Sequence, residues 1–251
     1  VLLTAYPEVG RYLDIEALGL KYFKPGAKIY NGSSFLFADP IREPSTLFKA
    51  ITSPAGSIID KWKIWRLSEE LKKKSISDIF NAESKTTLQY LEHYGFSERV
   101  ITNFFKPFFS GIYLENDLKT SSRMFEFIFK MFAEGHAAVP EKGMQAIPNQ
   151  LLSQLKQTEI HYNVKVDHIE ESSVHSLTDK YEFDYLIVAT NPASILSNEQ
   201  YESIDYEKTV NLYFEVPEYT NDGYIGLNAS RGFTNNISFL TDISDSYAPT
   251  N

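Results

Sequence analysis

Residues 181–194 read YEFDYLIVATNPAS. The short apolar run from Tyr185 to Val188 follows an acidic residue and ends in small residues and a proline. A run of that length, rich in β-formers and bounded by turn residues, predicts a buried strand of a parallel sheet. The carboxyl ends of such strands are where nucleotide cofactors bind. Yet no glycine-rich phosphate loop precedes it, and no two glycines in the chain have G-x-G spacing. The nearest pair, Gly223 and Gly226, falls in a stretch that reads as an antiparallel strand.

Upstream of that run, helix and strand alternate. Ala146 to Gln157 predicts a helix with Ile147, Leu151, Leu152 and Leu155 on one face, and 159–163, 166–171 and 174–179 predict strands. Between Ser45 and about Glu134 helical periodicity dominates. Ile64, Leu67 and Leu71 form one stripe there, Gly95 closes a helix over 87–94, and Ser97-Glu98-Arg99 opens the next. Ahead of this block, AKIYNGSSFLFA (27–38) is a hairpin pattern around Asn31-Gly32, the strongest short turn signal. A short helix is expected within residues 5–20. After Tyr206, the runs 210–216, 223–228 and 235–243 predict an antiparallel block. The fold class is mixed α/β and α+β, with two domains whose segments interleave.

Composition narrows the function. The net charge of −9 argues against a nucleic-acid partner, because neutralising phosphate needs clustered Lys and Arg. With no cysteine, a disulfide framework, thiolate metal sites and cysteine nucleophiles are all excluded. No signal peptide or membrane-spanning stretch is read, and a cytoplasmic location is the default. The one basic concentration, residues 61–75, reads as a solvated helix face or as a weak contact with an anionic membrane surface through its Lys-rich end, with Trp62 and Trp65 favouring an interface. The chain opens on Val inside an apolar run and stops after a strand-like pattern, which suggests an internal segment.

Candidate chemistry is sparse. Half of the 18 phenylalanines lie between residues 96 and 132. They are ordinary core or one wall of a large apolar pocket, and the two readings overlap. Phe104, Phe105, Phe108, Phe125, Phe129 and Phe132 are the candidate pocket residues. Glu126 and Lys130 are expected to pair on the one exposed strip of their helix. Glu115 and Asp117 read as solvated carboxylates. His161, His168 and His175 are seven apart in strands, and with no HExxH or calcium loop no metal site is expected. No serine-nucleophile motif occurs.

The runs GMQAIPNQLLSQL, IHYNVKVDHIEE and FDYLIVATNPAS, with FFKPFFSGIYLENDLKTSSRMFEFIFKMFAEG in the middle of the chain, resemble the flavin-containing amine oxidase and phytoene desaturase superfamily. The resemblance implies an FAD-dependent oxidoreductase that removes a hydride equivalent from a C–N or C–C bond of an organic substrate. The Phe-rich block leans towards an apolar molecule, such as a polyene or a porphyrin-like ring, over a small amine. Residues 21–135 and 201–251 would belong to the substrate domain, 136–200 to the later part of a Rossmann-like FAD domain, and 1–20 would lie near it. Carried over by position, Val166 would hydrogen-bond the adenine. Ala189, Thr190 and Pro192 would lie near the adenosine, and Gly143 and Met144 would form the turn into the following helix. In the family the glycine fingerprint lies on an earlier strand and helix, so this chain alone is expected to bind FAD poorly and to be inactive. The rival reading is a lipid- or partner-binding module on the same fold. Nothing in the sequence gives the oligomeric state.

Overall fold

The Asn31-Gly32 turn closes the hairpin around which the larger unit is built. The computed structural model describes residues 1–191, 205–217, 219–230 and 232–248. In chain order the strands are β1 (Leu2–Leu3), β2 (Leu20–Tyr22), β3 (Gly26–Asn31), β4 (Ser33–Ala38), β5 (Ala137–Pro140), β6 (Val166–Ile169), β7 (Ser173–Ser176), β8 (Lys180–Glu182), β9 (Ile225–Asn228) and β10 (Asn236–Ile237). The helices are α1 (Pro7–Tyr12), α2 (Ile15–Leu18), α3 (Leu47–Thr52), α4 (Ile58–Lys73), α5 (Ile76–Asn81), α6 (Thr87–His93), α7 (Glu98–Val100), α8 (Lys106–Tyr113), α9 (Ser122–Glu134) and α10 (Ala146–Ser153). This is the mixed α and β class the sequence predicts. Two units divide it, Val1–Gln154 with Lys208–Asn251, and Leu155–Glu207.

In the first unit a four-stranded sheet runs β10-β9-β3-β4. Alternation along β3 buries Ala27 and Ile29 against Phe37 and Leu227, as a half-buried strand requires. The sequence predicts only antiparallel neighbours for the later strands. In the structure β9 pairs with β3 in parallel, with Ile29 opposite Leu227, and only β10 is antiparallel to β9. A parallel partner can come from anywhere in the chain, so local turn signals do not announce it. Residues 210–216, read as a strand, form none, and Tyr213 and Phe214 are exposed. A smaller sheet, β1-β5-β2, ties the chain start to the end of α9.

The helical layer follows its caps. Ser57 and Thr86 open α4 and α6 with capping boxes, and Ser97 caps α7. Leu67 and Leu71 of α4 and Leu91 of α6 pack with Phe96, Val100, Phe105, Phe109 and Phe125 in one core. On α9, Glu126 and Lys130 are not an exposed pair. Both are buried: Glu126 meets Lys74, whereas Lys130 reaches Glu134 at 2.6 Å and the carbonyls of Leu71 and Lys72 at 3.1 and 2.9 Å. The cause is tertiary. The carboxyl end of α4 lies on that face of α9, and its last carbonyls attract a cation, that of Leu71 while also accepting from the Lys74 N–H.

The second unit is the antiparallel sheet β6-β7-β8. Residues 183–189, the predicted parallel strand, pair with no strand among the described residues, and Tyr185 and Ile187 are 94 % and 89 % exposed. Residues 159–163 are likewise outside any strand. An apolar run marks a segment suited to burial, but a central strand forms only between neighbouring strands that complete its ladder.

Candidate functional site

The helical run Glu98–Tyr113 carries the aromatic cluster, and its geometry begins at Pro107. A proline inside a helix has no N–H for the carbonyl of Asn103 and crowds it. The chain answers with a π-helical stretch, Ile101–Phe105, in which the Lys106 N–H donates to the Ile101 carbonyl five residues back. Asn103 is held by the hairpin tip, its Oδ1 accepting from Asn31 Nδ2 at 3.0 Å. Wide turns of this kind recur at functional sites because they re-aim neighbouring side chains.

The re-aiming separates two rows of rings. Phe105 and Phe109 turn into the helical core, where they meet Phe125 at 6.0 and 4.8 Å between centroids, and all three are fully buried. Phe104 and Phe108 turn towards the sheet. Phe104 lies 4.5 Å from Phe37 and 5.6 Å from Phe108, and Phe108 lies 5.0 Å from Phe132. Phe104, Phe108, Phe129 and Phe132 keep part of their surface in the open. Of the six predicted pocket rings, Phe105 and Phe125 are therefore core, Phe104, Phe108 and Phe132 form a contiguous half-exposed row, and Phe129 flanks it against Phe105 and Phe125. Phe37 is the member that the sequence did not single out; β4 shows no alternation that would mark it.

The row consists of hydrocarbon rings and offers no acid, base or nucleophile. None of the six phenylalanines lines the opening of about 540 Å³ between Lys24, Lys28, Phe35, Glu43, Lys49 and Tyr224, whose walls mix charged and apolar surface. Glu115 and Asp117 are not a catalytic pair. Glu115 closes a loop by accepting from the N–H groups of Asp117 and Thr120 at 2.7 and 3.1 Å, whereas Asp117 pairs with Lys119 at 2.9 Å. Burial raises the Glu115 pKa, and those hydrogen bonds outweigh it and hold the carboxyl below its ordinary value.

One buried carboxylate fixes the helix that carries the row. Asp60 accepts from Ser57 N and Oγ at 2.8 and 2.6 Å and from Ser97 N and Oγ at 2.9 and 2.8 Å. It thus joins the amino ends of α4 and α7. Desolvation raises its pKa, and the four hydrogen bonds together prevail and lower it.

A second surface lies on α3 and the first half of α4. Phe48, Ile58, Trp62 and Trp65 are exposed, Phe48 by 77 % and Trp62 by 52 %, with Leu47, Ile51 and Ile59 beside them in the sequence. Lys61 Nζ binds the carbonyls of Ile51 and Ser53, holding the two helices together. Between residues 44 and 68 the exposed charges are all basic, because the one acid, Asp60, is buried. The Lys-rich end is partly spent on Glu69 and Glu126, so the apolar surface sits over 58–66 instead.

The described residues meet part of what FAD requires. Val166 stands on β6, an edge strand whose outer backbone groups have no neighbouring strand, which suits an adenine edge. Gly143 (φ 86°) and Met144 do form the turn into α10, and the left-handed backbone explains the glycine. That turn is no pyrophosphate cradle. The N–H groups of Ala146 and Ile147 already bind the carbonyls of Gly143 and Met144, and Pro148 has none. Ala189 and Thr190 are exposed and in no strand, and Pro192 lies outside the described residues. The pyrophosphate end of FAD thus has no fitted site at the turn into α10.

A fold that mixes a Phe-lined helical layer with a four-stranded sheet, and that lacks any acid–base constellation in its aromatic row, suits proteins whose chemistry resides in a bound cofactor. The sequence model of one family, described as flavin containing amine oxidoreductase, matches residues 9–249, and the chain belongs to that family. No curated protein matches the chain. No helix among the described residues is long and apolar enough to cross a membrane.

Proposed function

We propose that this chain supplies the substrate-binding part of an FAD-dependent oxidoreductase that acts on an extended apolar molecule, of polyene or porphyrin type, in preference to a small amine. The observation that carries the reading is the contiguous row Phe104–Phe108–Phe132, half-exposed, backed by buried Phe37 and without a polar group. A row of this kind holds a long hydrophobic ligand by area and stacking, and has nothing to grip an ammonium except ring faces. When bound, flavin takes the hydride equivalent; the protein holds the substrate and excludes water. Other parts of a cofactor domain would cover the apolar face of α10, where Leu151 and Leu152 stand exposed; Leu155, expected on the same helix, lies beyond its end.

The surface of Phe48, Ile58, Trp62 and Trp65 supports a peripheral membrane contact as the route by which such a substrate arrives. Exposed tryptophan beside lysine suits an interfacial helix on anionic lipid, the carboxylates of the same helix, Glu69 and Glu70, being paired with Lys72 and Arg66. This surface alone would equally serve the rival module without chemistry, so the test addresses the row. A polyene titrated into the protein should give a saturable induced circular dichroism signal, weakened at least about tenfold by Phe104→Ala with Phe108→Ala. Unchanged affinity in that folded double variant would discard the substrate reading.

A further inference from the structure

The sequence places His168 and His175 seven residues apart, a spacing that in a single strand would set them on opposite faces. The structure folds them onto each other. Strands β6 and β7 are antiparallel, and His168 is the direct cross-strand partner of His175. Their rings stack at 4.3 Å between centroids with 14° between planes. Glu170 closes the group. Its Oε2 lies 3.1 Å from His175 Nε2, and its Oε1 lies 3.8 Å from His168 Nε2. One ligand atom from each of the three residues falls within 4.8 Å of the others.

We propose that the β6–β7 hairpin is a three-ligand site for a divalent transition metal, with His168, His175 and Glu170 as ligands and Asp167 as a positioning residue. Two imidazoles and one carboxylate are a donor set for Zn²⁺, Ni²⁺ or Cu²⁺, whereas Mg²⁺ and Ca²⁺ prefer oxygen alone. Zinc bonds of about 2.0–2.1 Å put tetrahedral ligand atoms about 3.3 Å apart. Closing from the observed separations requires the stacked rings to splay until both nitrogens face the ion. His168 is 46 % and Glu170 54 % exposed, so these two move onto the half-buried His175.

Three further features fit. The ladder shifts register between Val166 and His168, and the irregularity turns the Asp167 carboxylate to within 3.6 Å of His168 Nδ1. A carboxylate on the far nitrogen of a ligating imidazole fixes its orientation and raises its basicity. Ser173 Oγ contacts both Glu170 Oε2 at 3.1 Å and His175 Nε2 at 3.0 Å, holding two ligands close to one another before any metal arrives. Three protein ligands leave a fourth position for water. Lys180, the cross-strand partner of His175 on β8, opposes the cation and competes for Glu170. Its presence favours a metal that gains its affinity from nitrogen over one held by charge.

The experiment is a zinc titration of the whole chain by isothermal calorimetry near neutral pH, with the Co²⁺-loaded protein examined by visible absorption. The expected result is one Zn²⁺ per chain, with affinity lowered at least about tenfold in His168→Asn and in His175→Asn. His161→Asn, whose ring pairs with Glu159 instead, should bind as the wild type does. Asp167→Asn should weaken binding by about 10-fold or more while leaving the stoichiometry at one. Tetrahedral Co²⁺ bands in the wild-type protein test the site without any variant. Absence of saturable Zn²⁺ binding, equal binding in both His168 and His175 variants, or loss in His161→Asn would overturn the proposal and leave the group as an ordinary ion-pair cluster.

Discussion

Replacing Asp60 by alanine tests whether one buried carboxylate fixes the helix beneath the aromatic row. The carboxylate is almost fully buried and takes four hydrogen bonds, two from backbone N–H groups and two from serine hydroxyls. The hydroxyls can rotate to other acceptors, but the N–H groups of Ser57 and Ser97 cannot. An unpaired buried donor costs about 1–3 kcal/mol, which the Ser97 N–H bears, whereas water can reach exposed Ser57 and what is lost there is the cap of α4, about 1 kcal/mol. Relief of the desolvation of a buried charge offsets part of this. The net loss should be about 2 kcal/mol, read as a lower urea midpoint by far-ultraviolet circular dichroism with unchanged slope. The pH dependence gives a second readout. Because the folded pKa lies below the unfolded value of about 3.9, the stabilisation is fully present above that value. It is lost as pH falls through the folded pKa, so wild type and Asp60→Ala should converge in strong acid. A loss below about 1 kcal/mol, or a difference independent of pH between 6 and 2, would refute the reasoning.

Lys130→Ala should destabilise by about 2 kcal/mol, since the Lys72 carbonyl at the end of α4 loses its donor while that of Leu71 keeps the Lys74 N–H, and Lys130→Met should cost as much because packing is not what is lost; thermal denaturation of both variants checks this. Gly111→Ala would set a Cβ 2.4 Å from Asn235 Oδ1 and 2.7 Å from Asn236 Nδ2, both ends of side chains that can swing aside, so it should cost less than about 1 kcal/mol. Unchanged amide-exchange protection of β9 and β10 is the expected signature. FAD titrated into the 251-residue chain should keep its free fluorescence, because one neutral hydrogen bond at Val166 contributes about 0.5–1.5 kcal/mol against the roughly 8 kcal/mol of micromolar binding. A protein that stays yellow through gel filtration would contradict that expectation.

Where the determinants are local, the sequence announces the structure. Asn31-Gly32 between two β-rich runs gives β3 and β4, and Gly95 and Ser97 mark helix ends where the structure has them. Where a partner is distant, the sequence is silent. Lys130 is polar by type and four residues from Glu126, yet the carbonyls of α4 bury it. The run 183–189 has the composition of a central strand, but composition does not supply the neighbouring strands. Pro107 hints at irregularity in its helix, but not that the consequence is a π-helical stretch sending Phe104 and Phe105 to opposite sides. His168 and His175 meet only because a turn at 170–172 sets the register, and spacing along the chain says nothing of that.

The account rests most heavily on the aromatic row as the place where an apolar substrate lies. A polyene or fatty probe carrying a diazirine, photolysed on the protein and mapped by peptide mass spectrometry, tests this directly. Adducts should concentrate on residues 104–108 and on Phe132, and should fall when unlabelled polyene is added in excess. Adducts concentrated on Phe48, Trp62 and Trp65 with none on the row, or labelling that excess polyene leaves unchanged, would contradict it.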